Sequence, residues 1–132
     1  MRYLGIDYGE KRVGLAISDE TVSFAMPYSV IPNDKNLIST VSKICKEKEV
    51  GAVVVGESKN FEGGDNPIMV QIKKFVHELE KKTGLQIFME QEFLTSAESE
   101  RIQGKNEMND ASAAAIILRS FIERKQNQRK QS

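Results

Sequence analysis

Residues 1–19 read MRYLGIDYGEKRVGLAISD, and this stretch decides the fold class. Apolar and β-branched residues on either side of a glycine turn predict two antiparallel strands, at residues 2–7 and 12–18, joined by a tight connection. A third strand, from about Phe24 to Ile31, completes an antiparallel start. Asp7 ends the first strand, so its carboxylate is held rigidly at a sheet edge, which suits a ligand of a divalent metal.

The middle of the chain alternates helices with strands. We expect a helix from Asp34 to Glu49 with Asn33 or Asp34 as N-cap, followed by a buried strand Ala52–Val55 that ends at Gly56. A surface loop is predicted at 57–66. The next helix starts at Pro67 and is stopped by Gly84, and a strand Leu85–Met89 follows it. Each helix therefore connects two strands as a parallel crossover does.

The last third of the chain is predicted to be helical. Thr95 opens a capping box that starts a short helix ending near Gly104. Asp110 precedes the final helix, which presents a core-facing stripe made of Ala114, Ile117, Leu118 and Phe121. Residues 124–132 contain no apolar side chain to bury, so we expect a frayed or disordered basic tail after a single domain at 1–123.

Composition limits the class of protein. A chain of 132 residues suits one domain, and 19 basic residues balance 19 acidic ones, so any site for a polyanion must be local. The single cysteine, Cys45, excludes an internal disulfide. No stretch has the length of a membrane span or the layout of a signal peptide, and we therefore expect a cytoplasmic protein.

This order of elements predicts an α/β fold: a mixed sheet that begins with antiparallel strands, continues with parallel ones and carries helices on its faces. Ligands of such sheets collect at the carboxyl ends of the parallel strands. Asp7, the loop after Gly56 and Glu92 fall at such ends, and Asp110 falls at a helix start. Three carboxylates converging on one edge are typical of a metal-dependent nuclease.

Four blocks of sequence carry a family resemblance. They are Gly5–Gly9 with Lys11–Gly14, Ala16 and Ser18–Asp19; Val53–Gly56 with Asn60 and Gly63; Glu92 with Leu94–Ser96 and Glu100–Arg101; and Asp110 with Ala113–Ala114 and Ile117–Leu118. Over nearly its whole length the chain resembles the YqgF/RuvX family of ribonuclease H-like nucleases, which are also described as pre-16S ribosomal RNA nucleases or Holliday junction resolvase homologues.

The resemblance implies a ribonuclease H-like α/β fold, with a mixed five-stranded sheet of three antiparallel and then parallel strands and helices on both faces. It implies that Asp7, Glu92 and Asp110 are the catalytic acids and bind one or two Mg²⁺ or Mn²⁺ ions. The implied reaction is hydrolysis of phosphodiester bonds in structured nucleic acid without a covalent enzyme intermediate, chiefly maturation of the 5′ end of pre-16S ribosomal RNA. The expected partner is nucleic acid, and ribosomal RNA precursor is favoured over branched DNA. No membrane partner is expected, and the protein is expected to be a monomer or a weak homodimer.

Basic and polar residues near the three acids are candidates for substrate binding. Lys11 and Arg12 follow Asp7 closely, where positive charge can hold a phosphate. The other candidates are Lys59 and Asn60 in the glycine loop, Thr95 after Glu92, and Lys105 before Asp110.

Simpler roles remain open for the same residues. Asp7 is also compatible with a turn aspartate that binds its own backbone, Asp110 with a plain helix N-cap, and Glu92 with a solvated surface acid. Lys11 and Arg12 are also compatible with an exposed turn.

The chain departs from the family pattern in two places. Gln91 and Phe93 stand where an acid and a base usually flank the glutamate, and Glu57 adds negative charge after Gly56. These changes leave open a Holliday junction resolvase-like DNA nuclease, or a nucleic-acid-binding, transcription-associated module with little cleavage. A phosphate-binding fragment of the actin-like kinase superfamily is disfavoured, because ATP is enclosed by two lobes and this chain has residues for about one.

Overall fold

The computed structural model describes residues 1–57, 67–91 and 108–130, which form five strands and three helices. The strands are β1 Arg2–Tyr8, β2 Arg12–Ser18, β3 Ala25–Pro32, β4 Val50–Glu57 and β5 Gln86–Gln91; the helices are α1 Leu37–Glu47, α2 Pro67–Thr83 and α3 Met108–Lys130. None of these helices is long and apolar enough to cross a membrane.

The five strands form one mixed sheet in the order β3-β2-β1-β4-β5. Strands β1 and β2 pair antiparallel, as do β2 and β3, whereas β1 pairs with β4 and β4 with β5 in parallel. The predicted fold, antiparallel first and parallel afterwards, is confirmed. Strand β1 occupies the centre of the sheet, which explains its apolar run.

Two hydrophobic cores lie on opposite faces of this sheet. Leu4 and Ile6 of β1 pack with α1 and α2 in the larger core, as the period of two along a strand requires. The smaller core lies under α3 and includes Val54 of β4 and Ala16 of β2. Helices therefore cover both faces, as expected. The residues of β1 that alternate with Leu4 and Ile6, namely Tyr3, Gly5 and Asp7, belong to the α3 face.

Helix α1 begins later than the sequence predicted, and its predicted cap is wrong. Asn36 is the N-cap, and it makes no capping hydrogen bond through its side chain. Asp34 instead forms a turn before the helix: its Oδ1 accepts the Asn36 N–H at 2.9 Å and its carbonyl accepts the Leu37 N–H at 3.1 Å. Asn33 is used elsewhere, because its Nδ2 donates to the Gly9 carbonyl at 2.7 Å.

Helix α2 confirms its predicted bounds. It starts at Pro67 and ends at Thr83, and Gly84 follows with a φ of 70°. The Gly84 N–H donates to the carbonyl of Glu80 at 2.8 Å. A left-handed residue immediately after a helix is a common stop, and glycine adopts that conformation without steric cost.

Helix α3 differs from the prediction at both ends. It begins at Met108, so Asp110 lies inside its first turn and is not the N-cap. It continues to Lys130, so residues 124–130 of the expected frayed tail are helical. The predicted stripe is confirmed, since Ala114, Ile117, Leu118 and Phe121 are all buried. The short helix predicted at 95–104 lies outside the described residues, as do residues 58–66 of the predicted loop. The first residue of that loop prediction, Glu57, is instead the last residue of β4.

Candidate active site

Glycine at position 5 lets α3 lie directly on β1. A Cβ added to Gly5 would come within 2.8 Å of Leu118 Cβ and 2.9 Å of the carbonyl oxygen of Ala114. Real Cβ atoms do not approach other atoms so closely, and one of these two neighbours is backbone. A side chain at position 5 would therefore push the helix away from the central strand.

Two contacts give the direction of α3 across the sheet. The helix touches β1 at Gly5 through Ala114 and Leu118, and at Tyr3 through Phe121, whose ring centroid lies 6.0 Å from that of Tyr3. Later helix residues thus meet earlier strand residues, so α3 runs antiparallel to β1.

This direction brings Asp7 and the start of α3 to the same edge. Asp7 is the next residue beyond Gly5 on this face, about 7 Å further along the strand. Asp110 is four residues before Ala114, about one helical turn of 5.4 Å away in the same direction. Asp7 is half-buried. The side chain of Asp110 lies outside what the structure describes, but its backbone belongs to the helical turn at this edge.

The parallel strands end at the same edge as β1. Ile6 of β1 pairs with Val55 of β4, and Gly56, the next residue of β4, pairs with Glu90 of β5. The last residues of β4 and β5, Glu57 and Gln91, also pair with each other. Glu92 follows directly but lies outside the described residues. The expected meeting of the three strand ends is therefore present in the sheet.

The β1–β2 turn places two of the predicted phosphate-binding residues at this edge. Lys11 and Arg12 are both exposed. The turn is tight, because a Cβ on Gly9 would lie 2.5 Å from the carbonyl oxygen of Arg12. The Lys11 carbonyl accepts the Asn33 N–H at 2.9 Å, which ties the turn to the end of β3. The remaining candidates, Lys59, Asn60, Thr95 and Lys105, lie outside the described residues.

Sequence reasoning missed Glu90, a buried acid on the α3 face. Its relative exposure is 6%, and its Oε2 accepts the hydroxyl of Ser120 at 2.9 Å. Its Oε1 lies 2.6 Å from Nη2 of Arg124. The available signal was an acid two residues after Phe88, but the predicted strand stopped at Met89 and left Glu90 unassigned.

Asp19, a residue of the first resemblance block, has a structural role in the turn between β2 and β3. Its carboxylate accepts hydrogen bonds from the Thr21 hydroxyl and from the Ser23 and Phe24 N–H groups. These bonds, that of Thr21 first, favour the charged form and lower the pKa of Asp19 from 3.8 to about 2. Asp19 thus stabilises a turn at the amino-terminal end of β1, whereas Asp7 lies near the carboxyl-terminal end of that strand.

Within residues 1–57, 67–91 and 108–130 there is no cluster of three acidic, histidine or cysteine side chains that could hold a metal. Of the three predicted ligands, only the side chain of Asp7 falls within that set.

The sheet order and the α3 packing define the class of the fold. The structure superimposes on the RuvC resolvase of Thermus thermophilus, solved in complex with a Holliday junction substrate, with a TM-score of 0.65 at 15% sequence identity over 96% of each chain. The fold is therefore that of the RuvC-like, ribonuclease H-like proteins.

Sequence comparison gives the family. A family model described as RuvX, Holliday junction resolvase, matches residues 1–124, and the chain belongs to this family. A relative from Maridesulfovibrio salexigens, named as a candidate pre-16S rRNA nuclease, is 36% identical over 94% of this chain and 99% of its own length. A relative of the same name from Anaeromyxobacter is 33% identical over 93% of this chain and 97% of its own. The expected family is confirmed.

Proposed function

We propose that the protein is a divalent-metal-dependent endonuclease that hydrolyses phosphodiester bonds in structured nucleic acid. The observation that carries the proposal is the contact of α3 with Gly5, since it puts Asp7 and the helical turn of Asp110 at one edge of the sheet. Family membership supports the nuclease class. Glu92 is the third proposed acid, and it follows the last residue of β5 at that same edge.

The proposed donor set fits a hard divalent cation. Asp7, Glu92 and Asp110 offer carboxylate oxygens, which Mg²⁺ and Mn²⁺ prefer to nitrogen or sulfur ligands. When bound there, such an ion supplies charge stabilisation to the phosphodiester oxygens and makes a water molecule more acidic. The role of the chain is to hold the three acids in place and to position the scissile phosphate.

Lys11 and Arg12 are proposed to contact backbone phosphates of the substrate. Both are exposed and belong to the turn at the carboxyl end of β1, next to Asp7. Such contacts fix the register of a nucleic acid without reading its sequence. Lys59, Asn60, Thr95 and Lys105 are proposed to extend this contact surface.

The proposed substrate is the 5′ region of pre-16S ribosomal RNA, which would place the reaction in the cytoplasm. The names of the relatives support this choice. A four-way DNA junction is the second candidate, and the description of the family model favours it. A binding module without efficient cleavage is the third, because Glu57 adds negative charge beside the proposed polyanion site and Gln91 and Phe93 depart from the family pattern.

One set of assays separates these candidates. The purified protein is incubated with pre-16S RNA, a four-way DNA junction or single strands, each with Mg²⁺, Mn²⁺ or EDTA. We expect cleavage of the precursor RNA that requires metal and is absent in Asp7→Asn. Selective cleavage of the junction would move the assignment to the DNA substrate, whereas binding without cleavage under any metal condition would contradict the nuclease proposal.

A further inference from the structure

Glu90 connects the end of β5 to the side of α3. Its side chain is only 8% exposed, and it meets Ser120 and Arg124, two α3 residues one turn apart. The guanidinium of Arg124 also lies over the Phe121 ring, with 5.6 Å between its Cζ and the ring centroid. Arg124 is therefore oriented by an aromatic ring from its own helix and by a carboxylate from the sheet.

The strand held by this contact has a backbone partner on one side only. In the described sheet β5 is an edge strand, paired with β4 alone. The backbone hydrogen bonds of an edge strand come from one side only, and strand ends open locally at low free-energy cost. Apolar side chains also hold β5, since Ile87 and Met89 pack against the larger core and Phe88 against the smaller one. The contact of Glu90 adds a polar attachment at the residue before Gln91, the last residue of the strand.

The buried carboxylate of Glu90 is unusual in its surroundings. The neighbours of Glu90 on this face, Phe88 and Phe121, form an apolar and aromatic cluster in which their ring centroids lie 4.9 Å apart. Only the carboxylate is buried, because the Arg124 side chain is 54% exposed. A buried charge needs a partner, and removing that partner is costly. The Oε1 atom makes no hydrogen bond of acceptable geometry among the described residues, so it depends on the charge of Arg124.

A hydrogen bond and an ion pair are directional, so they fix the orientation of the Glu90 carboxylate as well as its position. Glu90 is two residues before Glu92, the proposed ligand, and its partners lie on the helix whose first turn contains Asp110. The Glu90 contact therefore joins the two elements that carry two of the three proposed ligands.

We propose that Glu90 is a positioning residue for the metal site. Its carboxylate, held by Ser120 and Arg124, fixes the carboxyl-terminal end of β5 against α3, and with it the strand end from which the chain continues to Glu92, the proposed ligand. This inference rests on the proposed nuclease function. It assigns Glu90 no contact with metal or substrate.

The test uses Glu90→Gln, which keeps the volume of the side chain and its ability to bond with Ser120 but loses the charge. Glu123→Gln is the matched control: Glu123 also pairs with an arginine of α3, since its Oε1 lies 3.1 Å from Nε of Arg119, but that pair is exposed and lies within the helix. Three quantities are measured for both variants: hydrogen exchange of the 89–91 amides, Mn²⁺ affinity, and cleavage as a function of Mn²⁺ concentration.

We expect Glu90→Gln to speed exchange at 89–91 and to weaken Mn²⁺ binding by about tenfold, the lower end of the loss seen when a partner of a metal ligand is removed. Cleavage should recover at saturating Mn²⁺, because a displaced ligand lowers affinity more than it changes the chemistry. Glu123→Gln should match the wild type in all three. Arg124→Gln should behave as Glu90→Gln does, and the double variant should be no worse than either single one.

These measurements distinguish a failure of the Glu90 inference from a failure of the proposed nuclease function. If the wild type binds Mn²⁺, Asp7→Asn does not, and Glu90→Gln binds as tightly as the wild type, Glu90 is only a structural residue and the inference is overturned. A lowered melting temperature with unchanged Mn²⁺ affinity would overturn it for the same reason. If the wild type itself neither binds Mn²⁺ nor cleaves, the proposed function fails first and the inference falls with it.

Discussion

Gly5 and Leu118 lie in contact where β1 and α3 cross, and a Cβ at position 5 would stand 2.8 Å from the Cβ of Leu118. This contact aligns the central strand with the helix that begins at Met108. It is therefore the structural basis for bringing Asp7 and Asp110 to one edge.

Gly5→Ala should destabilise the fold and lower cleavage, because the added methyl group meets helix backbone that has no room to move. Overpacking of this kind costs about 1–3 kcal/mol of unfolding free energy. Gly51→Ala is the control: its Cβ would meet the side chain of Met1, which is 64% exposed and free to turn away. Urea denaturation of both variants measures the difference, and equal midpoints would contradict a tight crossing at Gly5.

Asp7→Asn and Asp110→Asn should each abolish metal-dependent cleavage and leave the fold intact, since both keep the side-chain volume and lose the ligand charge. Asp110 lies in the first turn of α3, where a negative charge stabilises the helix by about 0.3–1 kcal/mol, so its loss should lower the melting temperature only slightly. Asp34→Asn, at an exposed turn, is the control. A folded Asp110→Asn enzyme with full activity would remove Asp110 from the site.

Replacing both Lys11 and Arg12 by alanine should weaken nucleic-acid binding at moderate salt. Each lost phosphate contact should reduce the slope of log affinity against log salt by roughly one unit, because fewer counterions are released on binding. The control pair is Lys81 and Lys82, in the last turn of α2, which leads to the opposite end of β5. Binding titrations at several salt concentrations give the slopes. A slope that matches the wild type would show that the β1–β2 turn is only solvated.

Cys45 should be inert to thiol reagents in the folded protein at neutral pH. Burial disfavours the thiolate and raises the pKa of Cys45 from 9.0 to about 11. Its reaction should therefore follow unfolding. Alkylation monitored by mass spectrometry across a denaturant series should rise at the unfolding midpoint. Rapid alkylation in buffer alone would show that α1 opens locally.

The Asp19 turn should lose stability only in strong acid. The pKa of Asp19 is lowered from 3.8 to about 2 in the folded protein, so the unfolded state binds a proton at higher pH than the folded state does. The stabilisation is complete above about pH 4 and disappears as the pH falls through about 2. A carboxyl NMR titration should show a midpoint near 2, and one at 3.8 would mean that the turn bonds do not persist in solution.

Local sequence patterns were sufficient to predict much of the fold of this protein. The apolar run before Asp7, the turn after it, and the proline and glycine that bound α2 are local signals, and each was confirmed. The order of these elements in turn predicted the mixed sheet, because short right-handed connections leave few alternatives. The family resemblance rested on the same local blocks of sequence.

Tertiary structure alone decided the rest. Residues 124–130 looked frayed because they offer no apolar side chain, yet Arg124 and Lys125 find partners on β5: Arg124 meets Glu90, and the Lys125 Nζ lies 4.9 Å from the Phe88 ring centroid. The role of Glu90 depends on Ser120, 30 residues away in sequence. No local pattern encodes which side chains meet across such a distance, because that follows from where α3 crosses the sheet, and Gly5 sets that crossing.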